Sequence, residues 1–173
     1  LAQKIPAIGS NRTVVVAFAF IVTGLGLKLA MFPLHLWLPN AYAYAPSAVT
    51  VFLAATATKA AAYLLLRFLF TVFGADFPIL GPTLTYLLMP LAIIAMFAAS
   101  TVAIFQVDIK RMLAYSSLGQ LGYMVLGISF ASVAGLTATI IHLFNHALMK
   151  GALFMALGAI VLRLGTASID SMR

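Results

Sequence analysis

Residues Gly24–Ser47 read GLGLKLAMFPLHLWLPNAYAYAPS, and the reading of this stretch decides the fold. An apolar run that begins at Thr13 carries Lys28 deep along it, and Pro33 follows five residues after that lysine. A proline inside a helix removes one backbone hydrogen bond and crowds the carbonyl four residues back, which here belongs to Leu29. An ionisable amine therefore lies one residue from a carbonyl deprived of its helical partner. In lipid, interrupted backbone is tolerated only beside protein or an internal water cavity, so the stretch predicts a broken membrane helix with a site at the break.

Composition agrees with a membrane setting. The 173 residues are 64% hydrophobic and only 8% charged, with a mean hydropathy of +1.14. A soluble domain carries about 25% charged residues, so this is an integral membrane chain. It has no cysteine, which removes disulfides and thiolate metal sites from consideration. The net charge of +7 sets ten Lys and Arg against Asp76, Asp108 and Asp170, with no Glu. Several of those cations lie inside apolar runs and cannot form a phosphate-tracking surface, which excludes nucleic-acid binding. The opening LAQKIPAIGSNR has neither an initiating Met nor a signal-peptide pattern. With the bare ending at Arg173, it reads as a segment of a longer protein.

Working outward from the break, the pattern predicts an all-α membrane segment of about five transmembrane spans in a single unit. The first covers 13–38 and is broken at Pro33; the others cover 48–72, 83–105, 112–130 and 136–164. Each is near the ~20 residues that cross a hydrocarbon core. Pro90 marks a kink in the third. Lys4 and Arg12 fall on one side, while Lys110, Arg111, Arg163 and Arg173 fall on the other, which makes the Gln106–Arg111 loop cytoplasmic.

Ionisable groups at membrane depth are costly and mark functional routes. Lys28, with Pro33 and His35, forms the first such group. Lys28 lies about fifteen residues into its run, roughly 22 Å along the helix. Thr56, Lys59, Tyr63 and Arg67 form the second; their spacing of three, four and four predicts one face of the second span, with Lys59 near its middle. His142, His146 and Lys150 form the third, four residues apart with Asn145 beside them. That spacing makes a slowly drifting stripe with ~6 Å between steps, suited to passing protons through water bridges. The histidine pair also has zinc-binding spacing, but no Cys, Glu or nearby Asp completes a ligand set. Asp108, Lys110 and Arg111 read as loop anchors at the interface.

Four segments in order, KLAMFPLHLWLPNAYAYAPSAV, LAATATKAAAYLLLRF, FQVDIKRMLAYSSLGQLGYM and IIHLFNHALMKGALFM, resemble the proton-conducting antiporter-like subunit family. This family comprises the large membrane subunits of respiratory complex I and their counterparts in Mrp-type sodium/proton antiporters. The YAYAPSAV and HLFNHALMKGALF variants resemble the Mrp antiporter branch more than the complex I branch. The resemblance spans Gly24 to Arg163 and implies inverted repeats of five helices, each with a broken helix. It also implies that Lys28 is the broken-helix lysine, Lys59 the central lysine of the next helix, and His142, His146 and Lys150 the stripe towards a second half-channel. The family's partner glutamate and second broken helix would lie outside this chain.

The resulting expectation is proton translocation through Lys28, Lys59, His142, His146 and Lys150, with His35, Tyr63 and Arg67 as accessory candidates. No cofactor, resident metal or catalytic site of its own is expected, although the subunit could serve a proton-pumping NADH-quinone oxidoreductase. The expected partners are other membrane subunits, protons, sodium in the antiporter case, and the lipid of a bacterial inner membrane. The competing reading is a secondary transporter of an organic solute, which would also use a broken helix and midplane lysines.

Overall fold

The computed structural model describes residues 11–169 and Ser171, all of the regular structure within them being helical. Lys4, Asp170 and Arg173 lie outside the described residues. Helix α1 spans Arg12–Leu29, capped by the Asn11 side chain, which accepts from the Thr13 amide. Its last turn closes when the Ala30 amide bonds the Leu27 carbonyl at 3.0 Å and the Met31 amide bonds the Gly26 carbonyl at 2.8 Å. Ala30 holds the left-handed conformation this closure needs, at φ 59°, a position that costs a non-glycine residue about 1–2 kcal/mol. The Met31 side chain lies over Gly26.

The chain re-enters helix only at α2, Trp37–Tyr44, and the Trp37 indole donates to the Leu27 carbonyl at 3.0 Å. The first span is therefore broken around Pro33, as the sequence predicts. The break is a complete stop at Leu29, four residues ahead of the proline, rather than a kink in a continuing helix. Leu29 thus belongs to the C-terminus of a finished helix, and Pro33 keeps the following residues from extending it.

Helix α3 runs Ser47–Phe73 and α4 runs Leu80–Ile104, each interrupted by π-helical turns. The turn in α4, Thr83–Leu88, ends two residues before Pro90, whose missing N–H interrupts the regular ladder there. Helix α5 spans Ile109–Ser129 and α6 spans Val133–Leu164. Four of these helices, α1, α3, α4 and α6, are long and apolar enough to cross a membrane. The fourth expected span, now α5, does not meet that standard, because Lys110, Arg111, Ser116, Ser117 and Gln120 interrupt it. Its place explains why it need not. It packs against α4 and α6 and buries Ala114, Ser117, Leu118, Leu121, Met124, Val125 and Ile128, so protein rather than lipid surrounds much of it.

The α4–α5 contact depends on Gly122. A methyl group there would stand 2.9 Å from the Met96 side chain and 3.0 Å from the Ala92 carbonyl, and that backbone has no room to retreat. Gly122→Ala is expected to destabilise the bundle by ~1–3 kcal/mol, read as an earlier thermal transition of the detergent-solubilised protein. An unchanged transition would contradict the close packing.

One end of the bundle is tied together by polar contacts. The Ile109 amide bonds the Ala167 carbonyl and the Ile169 amide bonds the Val107 carbonyl, each at 3.0 Å, pinning the tail after α6 to the α4–α5 loop. Asp108 caps α5 by accepting from the Arg111 amide at 3.0 Å. Lys110 is buried and donates to the Ala45 carbonyl at 3.1 Å, while the Arg111 guanidinium lies 5.9 Å from the Tyr44 ring centre. The Gln106–Arg111 segment therefore locks α2, α5 and the tail to one another. The positive-inside bias of this short loop favours a cytoplasmic location for this end. A cysteine introduced at Gln106 is expected to stay unlabelled by an impermeant thiol reagent applied to intact cells. Ready external labelling would reverse the orientation.

Candidate functional site

The site is built where α3 meets α6. Small residues allow the two helices to approach: a Cβ at Gly151 would touch that of Ala55 at 3.6 Å, and one at Gly158 would lie 3.3 Å from that of Ser47. His142, His146 and Lys150 do form a stripe along α6, because that helix is regular throughout. The His142 and His146 rings are stacked at 6.0 Å between centroids, their planes 5° apart. His146 and Lys150 are buried and His142 is half-buried. The Lys150 amine donates to the Leu113 carbonyl of α5 at 3.0 Å.

Lys59 of α3 is buried opposite this stripe and donates to the Ala54 carbonyl of its own helix. It lies within electrostatic reach of Lys150, and His146 within reach of Lys59, Lys150 and His142. Neither ring nitrogen of His146 is hydrogen-bonded to a protein group, and the same holds for Nε2 of His142. Buried polar atoms are nearly always satisfied by protein or water. Chemically, the arrangement can take up, hold and hand on protons. Among the described residues, no group of three or more His, Cys, Asp or Glu side chains is placed to hold a metal ion.

The expected stripe on α3 holds only in part: Lys59, Tyr63 and Arg67 stand four residues apart within the regular stretch Thr58–Arg67, but their burial differs. Lys59 is buried, whereas Thr56, Tyr63 and Arg67 are exposed. A π-helical stretch, Leu53–Ala57, changes the twist between Thr56 and Lys59, so spacing counted on a uniform α-helix misplaces them. Lys28 stands apart from this series on the described segment. It is exposed in the last turn of α1, where its charge complements the helix C-terminus. The charged neighbour of Lys59 is Lys150, not Lys28.

His35 is half-buried in the break, stacked on Phe32 at 5.2 Å, in a crevice formed with Ala92, Ala95, Ala99 and Gly122 of α4 and α5. Its Nδ1 is unsatisfied, but it stands with α4 and α5 rather than with the α3–α6 series.

Beyond His142 a groove of about 980 Å³ opens between α5 and α6, lined by Gln120, Tyr123, Ser132, Thr139 and Asn145. The Tyr123 ring lies 6.3 Å from that of His142. Sequence reasoning passed over Gln120 and Tyr123; their three-residue spacing on one helix is the signal that could have found them. Tyr42 was passed over as well, and its position shows only in three dimensions.

A polytopic helical bundle with a broken first span and a buried Lys–His–Lys series defines a class of membrane proteins that manage charge within the bilayer. More particularly, the chain belongs to the NADH:quinone oxidoreductase/Mrp antiporter transmembrane family, whose pattern matches residues 1–173. It is 46% identical over 160 residues to NADH-quinone oxidoreductase subunit N of Desulforudis audaxviator, covering 92% of this chain and 32% of that protein. It is 37% identical over 143 residues to NADH-quinone oxidoreductase subunit M of Rhodobacter capsulatus, covering 83% of this chain and 27% of that one. Its fold matches a chain of the membrane-bound sulfane sulfur reductase, an archaeal respiratory complex, with a TM-score of 0.85 and 38% identity over 93% of this chain and 33% of that one. It also matches a chain of the Mrp complex from Dietzia, with a TM-score of 0.80 and 32% identity over 87% of this chain and 27% of that one. Both the respiratory and the antiporter branches are thus represented. The chain spans about a third of the length of the relatives it matches.

Proposed function

We propose that this chain is a segment of a larger proton-translocating subunit, working in a multisubunit membrane complex of the quinone-oxidoreductase or antiporter type. The observation that carries the reading is the buried series Lys59, His146 and Lys150, in which the histidine nitrogens bond no protein group. Protons pass along this series by way of bridging water, and His142 connects it to the α5–α6 groove. Lys28, exposed on the described segment, meets its partners on the remainder of the subunit. The partners are other membrane subunits, the host membrane is a bacterial inner membrane, and the energy comes from coupling to those subunits rather than from a reaction on this chain. The antiporter likeness of two motifs adds sodium as a second transported ion.

The test is proton movement in liposomes holding the complete complex. Lys150→Met keeps most of the length of the side chain and removes its charge, and is expected to slow transport by about tenfold or more, a barrier rise of at least ~1.4 kcal/mol. A wild-type rate would remove Lys150 from the route. Uptake of an organic solute that persists without any proton flux would favour the solute-carrier reading.

A further inference from the structure

The aim of Lys59 is not a property of an α-helix. Thr50 and Lys59 are both buried, at 1% and 4% exposure, yet nine residues at ~100° each would put them on opposite faces of a regular helix. The π-helical stretch Leu53–Ala57 lies between them. Such a turn takes up one extra residue and withdraws ~100° of rotation. That correction brings Lys59 from the opposite face to within about 80° of Thr50.

Something must hold the wider turn, and the contacts converge on Tyr42. This residue of α2 is 1% exposed, and its hydroxyl donates to the carbonyl of Leu53, the first residue of the π stretch, at 3.3 Å. Its ring stands edge-on to Phe154 of α6 at 5.6 Å, one turn beyond Lys150. The Thr50 hydroxyl lies within hydrogen-bond reach of the Tyr42 and Pro46 carbonyls, each at 3.2 Å, and of the Ala45 carbonyl at 3.3 Å, which sets the end of α2 against the start of α3. The next carbonyl in the π stretch, that of Ala54, accepts from Lys59 itself. The two adjacent carbonyls are therefore held by side chains, one from the second half of the broken helix and one from the lysine being aimed.

We propose that Tyr42 is a positioning residue: its hydroxyl, bonded to the Leu53 carbonyl, holds the π stretch of α3 and so keeps Lys59 directed at His146 and Lys150. The consequence for transport rests on the role proposed above for Lys59; the structural consequence does not. Because Tyr42 belongs to α2, the broken helix sets the aim of the lysine on the next helix without touching its amine.

Tyr42→Phe in the complete complex removes one oxygen and leaves the ring. The complex should assemble normally and transport protons about tenfold more slowly, as a misplaced reacting group does. Its cryo-EM map should show Leu53–Ala57 in α-helical bonding with Lys59 turned from Lys150. An intact π stretch with Lys59 in place would overturn the proposal whatever the transport rate, whereas an altered stretch with wild-type transport would support the positioning and overturn the transport role of Lys59. Phe154→Leu keeps the hydroxyl and should leave Lys59 in place; if it reproduced the Tyr42→Phe defect, ring packing would be the cause and the proposal would fall. If Tyr42→Phe did not assemble, deletion of Ala57, which removes the extra residue, should abolish transport, and a wild-type rate would count against the proposal. Normal transport in Lys59→Ala would defeat the functional reading alone, leaving the Tyr42→Phe map to decide the positioning.

Discussion

Lys59→Ala in the complete complex is expected to lower proton transport by about 100-fold or more, a barrier rise of ~2.7 kcal/mol, and Lys59→Arg nearly as much. The arginine variant is the more informative of the two. It keeps a positive charge and long-chain packing in the buried site, but arginine does not release its proton at any physiological pH. If Lys59 supplied only a fixed charge to Lys150 and His146, the arginine variant would retain most activity. If Lys59 must give up and regain a proton, both variants fail together. Lys28→Arg provides the comparison at an exposed position, and the same chemistry predicts slow transport there. Wild-type rates in both arginine variants would mean that these lysines do not deprotonate during the cycle.

The second large effect is expected at His146. Its ring lies 6.0 Å from that of His142, and its removal leaves His142 and Lys150 eight residues apart, ~12 Å along the helix. His146→Ala should slow transport about tenfold to 100-fold at normal assembly, as a broken relay would. Neither ring nitrogen holds a protein partner, so the substitution forfeits no protein hydrogen bond. His146→Gln fills more of the space and cannot titrate near neutral pH; it should be slow as well. Reduced protein level with an unchanged rate per molecule would assign the histidine to packing. Zinc dependence of the rate would point to a metal site.

The local reading of the chain succeeded where local rules govern. Hydropathy alone required a membrane, and Pro33 within an apolar run required a break in the first span. The helical period placed His142, His146 and Lys150 correctly because α6 runs without interruption from Val133 to Leu164. The same period failed on α3. There the π stretch at Leu53–Ala57 resets the twist between Thr56 and Lys59, while Tyr63 and Arg67 follow Lys59 within the regular stretch Thr58–Arg67 and lie exposed. A π turn leaves no composition signature in LAATA, so counting could not anticipate it.

The sequence by itself determined the medium, the helices and the break, because burial in lipid and proline chemistry act on a segment independently of its neighbours. Which charges face inward was decided only by tertiary packing. Lys28 and Lys59 both lie within apolar runs, yet one is exposed and the other buried. Helix α5 is the most polar of the long helices and also the one enclosed by α4 and α6, so its polarity is compatible with burial in protein where lipid would not tolerate it. Tyr42 meets Leu53 and Phe154 because α2, α3 and α6 converge on it, and no spacing along the chain records that meeting. Side-chain direction depends on accumulated twist and on helix neighbours far away in sequence, and those are properties of the folded bundle alone.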